Sequence, residues 1–221
     1  MRNPIIICDF DGTITESDNI IAIMNKFAPA GWEAIKDQIL SREVSIQEGV
    51  GKMFSLLPSD LKENIIDYLN HNSRIREGFT EFLSFIKENN IPFYVVSGGI
   101  DFFVYKLLED HIEPSKIYCN RADFSGENIQ IQWPYSCDQV CSNQGCGCCK
   151  PSVIRSMDTE DFEVIVIGDS ITDLEAAKGA DYIFARDFLA DQCDKLSLPY
   201  SRFETFFDCK LALEESLEVK M

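Results

Sequence analysis

The run Ile5-Ile6-Ile7-Cys8 ends abruptly in Asp9-Phe10-Asp11-Gly12-Thr13. Three β-branched side chains in succession favour a strand buried on both faces. Two carboxylates two positions apart are costly at the end of such a strand unless a cation or protons compensate them. The strand therefore has to open at the mouth of a sheet, where an ion or charged ligand can reach it. The same break recurs along the chain. Phe93 to Val96 runs into Ser97-Gly98-Gly99, and Val164 to Ile167 runs into Gly168-Asp169-Ser170. Lys116 to Cys119 and Tyr182 to Ala185 are two further short apolar runs. Continuous apolar strands separated by helices predict a parallel sheet covered on both faces. In such sheets ligands bind beyond the carboxyl ends of the strands, which is where the polar clusters fall.

The helices between these strands follow from apolar spacing. Glu77 to Asn89 carries Phe79, Phe82, Leu83 and Ile86, and Asp101 to His111 carries Val104, Leu107 and Leu108. Leu174 to Lys178 is short and stops at Gly179, and Lys210 to Leu217 forms a last helix. Residues 17–71 differ, with no good strand and four amphipathic helices: Asp18 to Ala28, Gly31 to Leu40, Ile46 to Leu57 and Leu61 to Leu69. The third opens with the capping box Ser45-x-x-Glu48. A helical block inserted after the first strand reads as a cap, and residues 1–16 and 72–221 as the core. Its Met and aromatic stripe is first of all packing, although Phe27, Trp32 or Met53 facing inward would favour an apolar substrate tail. Ile129, Ile131 and Trp133 alternate with polar residues after Ser125-Gly126, as in a small hairpin.

The chemistry rests on four groups. In the first, one carboxylate of Asp9 and Asp11 can coordinate Mg²⁺ and attack phosphorus while the other manages protons. The calcium-loop alternative fails because the further ligands at the required spacing are missing. In the second, Ser97 and the unencumbered N–H of Gly98 can hold phosphate oxygens. In the third, Lys150 stands just before a helix and offers a cation against carboxylate and phosphate charge. In the fourth, Asp169 and Asp173 can complete a Mg²⁺ site, the bland reading being acids in a helical first turn.

Taken in order, Asp-Phe-Asp-Gly-Thr, Ser-Gly-Gly, Lys150 and Gly-Asp-Ser-x-x-Asp resemble the four motifs of the haloacid dehalogenase superfamily. The second Asp of the first motif resembles its phosphatase branch, and the helical insertion resembles phosphoserine-phosphatase-like members. The approach Arg76-Glu77-Gly78-Phe79 and the Cys-rich segment before Lys150 narrow the resemblance to methionine-salvage phosphatases. The resemblance implies a Rossmann-like doubly wound parallel α/β sheet with an inserted helical cap. It implies a Mg²⁺-dependent phosphomonoesterase acting on a small phosphorylated substrate, here an acyclic methylthio-sugar phosphate. Asp9 is then the nucleophile and Asp11 the general acid and base. Ser97, Gly98 and Lys150 hold the phosphoryl group, and Asp9, Asp11, Asp169 and Asp173 serve the metal. A phosphoserine-like or other phosphoalcohol phosphatase is the alternative substrate reading.

Nine cysteines form the remaining signal, five of them, Cys137, Cys141, Cys146, Cys148 and Cys149, within thirteen residues. Their spacing matches no standard zinc finger. A second metal, a redox pair and a set of small buried thiols all remain open, and a cysteine-centred metal-binding regulatory protein is the non-enzyme alternative. The 37 acidic against 20 basic residues give a net charge of −17. That balance argues against nucleic acid and anionic membrane surfaces as partners. The longest charge-free run, Asn89 to Ile100, is too short to span a bilayer. No signal-peptide core is visible, so the expected location is cytoplasmic and the cysteines mostly reduced. Neither histidine sits in a motif, and Arg42, Arg74 and Arg76 read first as solvated, with contact to a phosphate or polar substrate group as the alternative. Nothing in the sequence speaks to oligomeric state.

Overall fold

The computed structural model describes residues 2–220. Seven strands make one sheet: β1 (Asn3–Cys8), β2 (Phe93–Ile100), β3 (Ile117–Asp123), β4 (Gln130–Gln132), β5 (Phe162–Gly168), β6 (Tyr182–Ala185) and β7 (Ser201–Arg202). Their order is β4-β3-β2-β1-β5-β6-β7, with β1 in the centre. Every neighbouring pair is parallel except β3–β4, an antiparallel hairpin with Arg121 opposite Gln132. This is the doubly wound α/β sheet expected from the alternation of strands and helices.

Ten α-helices accompany the sheet among the described residues. They are α1 (Asn19–Phe27), α2 (Trp32–Leu40), α3 (Ile46–Phe54), α4 (Lys62–Asn72), α5 (Phe79–Glu88), α6 (Asp101–Leu108), α7 (Lys150–Ser156), α8 (Leu174–Ala177), α9 (Asp187–Leu196) and α10 (Phe206–Lys220). No helix among the described residues is long and apolar enough to cross a membrane.

The pleat of β1 divides the core in two. Ile6 and Cys8 point into one cluster, with Phe79, Phe82, Phe103 and Phe206 from α5, α6 and α10. Ile5 and Ile7 point into the other, with Val153, Ala176, Ala177 and Leu189 from α7, α8 and α9. All three isoleucines are at most 4% exposed. At about 1.5–3 kcal/mol for each such buried side chain, β1 is a main source of stability as well as the platform for Asp9.

Helices α1 to α4 lie between β1 and α5 in the chain, from Asn19 to Asn72. The two connecting passages run side by side: Arg76 N–H donates to the Ile14 carbonyl at 2.7 Å, and Glu16 N–H to the Arg74 carbonyl at 2.9 Å. Ser45 caps α3 by accepting the Glu48 N–H at 3.1 Å. Trp32 and Met53 are buried in the core, and Phe27 is partly buried with its ring edge-on to Tyr68. Their first role is therefore packing.

Three local expectations change. β2 does not stop at Val96 but continues through Ser97-Gly98-Gly99 to Ile100, slipping register against β3 on the way. Two glycines in succession remove the side chains that would keep the pleat regular. Lys150 is the first residue of α7 rather than its predecessor, because Pro151 suits a helical first turn. β7 and α9 give weak sequence signals, one being two residues long and the other burying only Leu189, Ala190 and Cys193.

Candidate active site

The site gathers at the carboxyl ends of β1, β2 and β5 and the start of α7. Asp9 leaves β1 with its N–H bonded to the Ile167 carbonyl of β5 at 2.9 Å, so two strand ends fix its backbone. Lys150 Nζ lies 3.1 Å from Asp9 Oδ1 and 2.8 Å from Asp173 Oδ1. It also donates to Thr172 Oγ1 at 2.9 Å, and the lysine is 2% exposed. Three oxygens thus surround its ammonium, two of them from carboxylates. Burial alone would lower its pKa, but Asp173 and Asp9 outweigh that and raise it.

Asp9, Asp169 and Asp173 each offer a carboxylate oxygen within 4.8 Å of the others. One lysine cannot neutralise three carboxylates. Burial, then the Asp173 charge, pushes Asp9 well above the usual carboxylate range, and the same two causes raise Asp169 to about 7. A hard oxygen donor set with excess negative charge fits Mg²⁺. The oxygens are not equivalent. Asp173 Oδ2 already accepts the N–H groups of Asp169 and Ser170 and the Ser170 hydroxyl, at 3.2, 2.9 and 3.0 Å. Asp173 therefore shapes the loop and seats Lys150. Asp169 accepts the Thr13 hydroxyl at 2.6 Å.

Asp11 lies across the loop. Its Oδ1 accepts the backbone N–H and the side-chain amide of Asn19, at 3.0 and 2.7 Å. Its Oδ2 is buried with no hydrogen-bond partner. Burial, then the Asp18 charge, raises its pKa well above normal, so the neutral acid is favoured. A Cβ on Gly99 would meet this Oδ2 at 2.8 Å and Ser97 Oγ at 3.1 Å, so the second motif abuts the first only because glycine stands there. Gly12 has φ +79°, and a Cβ on it would come within 2.5 Å of Asp169 Oδ2. Both strain and clash exclude a larger residue. Ser97 is fully buried and accepts the Gly99 N–H at 2.9 Å, while the space beside Gly98 is open.

Several residues with supporting positions escaped the sequence reading. Arg76, read as solvated, is 7% exposed. Its guanidinium donates to the carbonyls of Thr13 at 2.7 Å, Gly12 at 2.7 Å, Thr15 at 3.2 Å and Glu204 at 3.3 Å. It clamps the loop that follows Asp11, while Arg42 and Arg74 are exposed as expected. Asn120 on β3 donates to the Gly98 carbonyl at 2.8 Å and so fixes that peptide. Asn19 and Thr172 hold Asp11 and Lys150. None of the four belongs to a motif, and only the position of Arg76 just before α5 hinted at a role.

The five clustered cysteines separate. The sulfurs of Cys137, Cys141, Cys146 and Cys149 lie within 4.8 Å of one another. Cys148 is outside this set, buried in the second core cluster with its thiol donating to the Tyr118 carbonyl at 3.6 Å. The two adjacent thiols thus face different surroundings, Cys149 the other three cysteines and Cys148 the sheet at Tyr118.

Known proteins place this arrangement. The sequence pattern of the haloacid dehalogenase-like hydrolases matches residues 6–178. A 2-hydroxy-3-keto-5-methylthiopentenyl-1-phosphate phosphatase from Geobacillus kaustophilus is 62% identical over 210 residues, 95% of each chain. One of the same name from Bacillus pumilus is 54% identical over 220 residues, 100% of this chain and 95% of that one. A solved phospho-aspartyl intermediate analogue of phosphoserine phosphatase superposes with a TM-score of 0.64 at 20% identity, covering 93% of this chain and 95% of that one. With the motifs in order at the strand ends of a parallel sheet, the chain belongs to the haloacid dehalogenase-like hydrolases.

Proposed function

We propose that the protein is a Mg²⁺-dependent phosphomonoesterase that works through an aspartyl phosphate on Asp9. Asp9 attacks phosphorus in line and displaces the alkoxide or enolate oxygen. Asp11, held neutral by burial, gives that oxygen its proton. The Asp11 carboxylate then takes a proton from water, which attacks phosphorus and restores Asp9 while phosphate leaves. Lys150, the Ser97 hydroxyl and the Gly98 N–H hold the phosphoryl oxygens through both steps. Asp9, the Asp11 backbone carbonyl and Asp169 would hold Mg²⁺, with Asp173 orienting the loop around it. The ion supplies positive charge against the transferring phosphoryl group and the carboxylates.

The observation that carries this reading is the division of labour between two aspartates two residues apart. Asp9 faces a buried lysine, whereas Asp11 has a buried, unpartnered oxygen. A nucleophile and a proton donor need these opposite environments.

Helices α1 to α4 serve as the cap over the leaving group. The relatives named 2-hydroxy-3-keto-5-methylthiopentenyl-1-phosphate phosphatase, 62% and 54% identical to this chain, support a methylthio-bearing leaving group. Phosphate release with Mg²⁺ across small phosphomonoesters tests the substrate. The methylthiopentenyl enol phosphate should give the highest kcat/KM. A preference for phosphoserine would overturn that assignment and leave the aspartyl-phosphate chemistry standing.

A further inference from the structure

We propose that Cys137, Cys141, Cys146 and Cys149 bind a structural Zn²⁺ that fixes the loop leading into Lys150. This site is separate from the carboxylate cluster and stands whatever substrate the enzyme takes. No pair of these cysteines is a disulfide. The Cys141 and Cys146 sulfurs are 3.8 Å apart. A tetrahedron with Zn–S distances of about 2.3 Å has edges of about 3.8 Å, so the spacing is that of ligands around an ion rather than of a bond. Three-dimensional selection also repairs the spacing. With Cys148 excluded, the second half of the set is Cys146-x-x-Cys149, the short pair usual in zinc sites.

The surroundings suit thiolates. Cys146 N–H donates to Cys137 Sγ at 3.5 Å, and the Ser152 hydroxyl to Cys149 Sγ at 3.0 Å. Such bonds to sulfur orient metal ligands and spread their charge. Arg155 pairs with Asp138 and acts electrostatically on Cys149 and Cys141 as well. Binding would release four protons as four thiols and one Zn²⁺ become a tetrathiolate.

The fold needs such a staple. Residues 133–149, between β4 and α7, contain no regular element. A stretch of that length without structure is uncommon inside a compact domain unless something else orders it. Gln144, Gly145 and Gly147 all adopt positive φ, so the chain doubles back sharply here. The loop touches both halves of the molecule. The Gly145 carbonyl accepts the Gln47 N–H at the start of α3, and Cys149 immediately precedes Lys150. Zinc would thus hold the catalytic lysine and the cap entrance in fixed relation.

The test is elemental analysis of the full chain, purified without chelator and dialysed against excess Mg²⁺ to clear the carboxylate site. Wild type and Cys148→Ser should each carry one zinc, whereas Cys137→Ser and Cys146→Ser should lose it. In case those variants fail to fold, a mercurial titration of folded wild type gives the same answer. Zinc should leave in step with the modification of four thiols. A wild type free of zinc, iron in its place, disulfides among the four cysteines, or zinc loss in Cys148→Ser alone would each overturn the proposal.

Discussion

The carboxylate cluster and the cysteine cluster meet at the single peptide bond between Cys149 and Lys150, and they are ordered by different means. Asp9, Asp169 and Ser97 are carried by strands whose partners in the sheet fix their positions. The cysteines are carried by a segment with no ladder at all. In the first region regular secondary structure orders the charges. In the second, the backbone is held by scattered contacts instead, Asp138 with Ser152 and Arg155 and the Gly145 carbonyl with Gln47 among them. The aspartates hold place through Lys150, Thr13 and Asn19, whereas the thiols have few partners besides one another among the described residues.

Lys150 belongs to both regions, so replacing it has the largest expected effect. Lys150→Met removes the only cation paired with Asp9 and Asp173 among the described residues. Turnover should fall by about 10³-fold, as when a preorganised charge donor is lost from a transition state. A loss of less than tenfold in steady-state phosphate release would detach Lys150 from the site.

Arg76 probes the strand-built region alone. Arg76→Met leaves the buried carbonyls of Gly12 and Thr13 without their donor. The cost should be about 2–4 kcal/mol in denaturant unfolding, against less than about 0.5 kcal/mol for the exposed Arg74→Met. Equal effects at the two positions would mean that the loop after Asp11 needs no clamp.

A smaller effect concerns pH. Asp9, Asp11 and Asp169 have folded pKa values above their ordinary ones, so the folded state binds more protons than the unfolded chain. Stability of the metal-free protein should therefore fall as pH rises from about 4 through about 7, the range between the ordinary Asp value and the raised Asp169 value. Mg²⁺ competes with those protons, so the gain in Tm on adding it should grow from pH 5 to pH 8. Thermal melts of wild type and Asp169→Asn, with and without Mg²⁺, check this. A Mg²⁺ effect greatest at pH 5 would contradict the assigned ligands.

Much of the strand-built region is legible in the sequence because its signals are local. A β-branched run stopping at two aspartates already carries a face, a direction and a chemical need. The sequence reading ends the second strand at Val96, whereas β2 runs on through Ser97 and Gly98 to Ile100, since glycines weaken a pattern without ending the pairing. Arg76 and Asn120 were not legible as supports, because each works on the carbonyls of residues far away in sequence. The choice of Cys149 over Cys148 was equally hidden. It depends on which side of an irregular backbone each thiol faces, and composition carries no such information.

The central claim is that Asp9 carries the phosphoryl group. It is tested most directly by acid-quenching Asp11→Asn during turnover with Mg²⁺ and the enol phosphate, then locating phosphate by peptide mass spectrometry. Asp11→Asn should form the intermediate slowly and hydrolyse it more slowly still, because the group that activates water is gone. The account predicts one phosphoryl group on Asp9, and neither label nor turnover in a folded Asp9→Asn variant. Phosphate on another residue, or sustained turnover in Asp9→Asn, would contradict it.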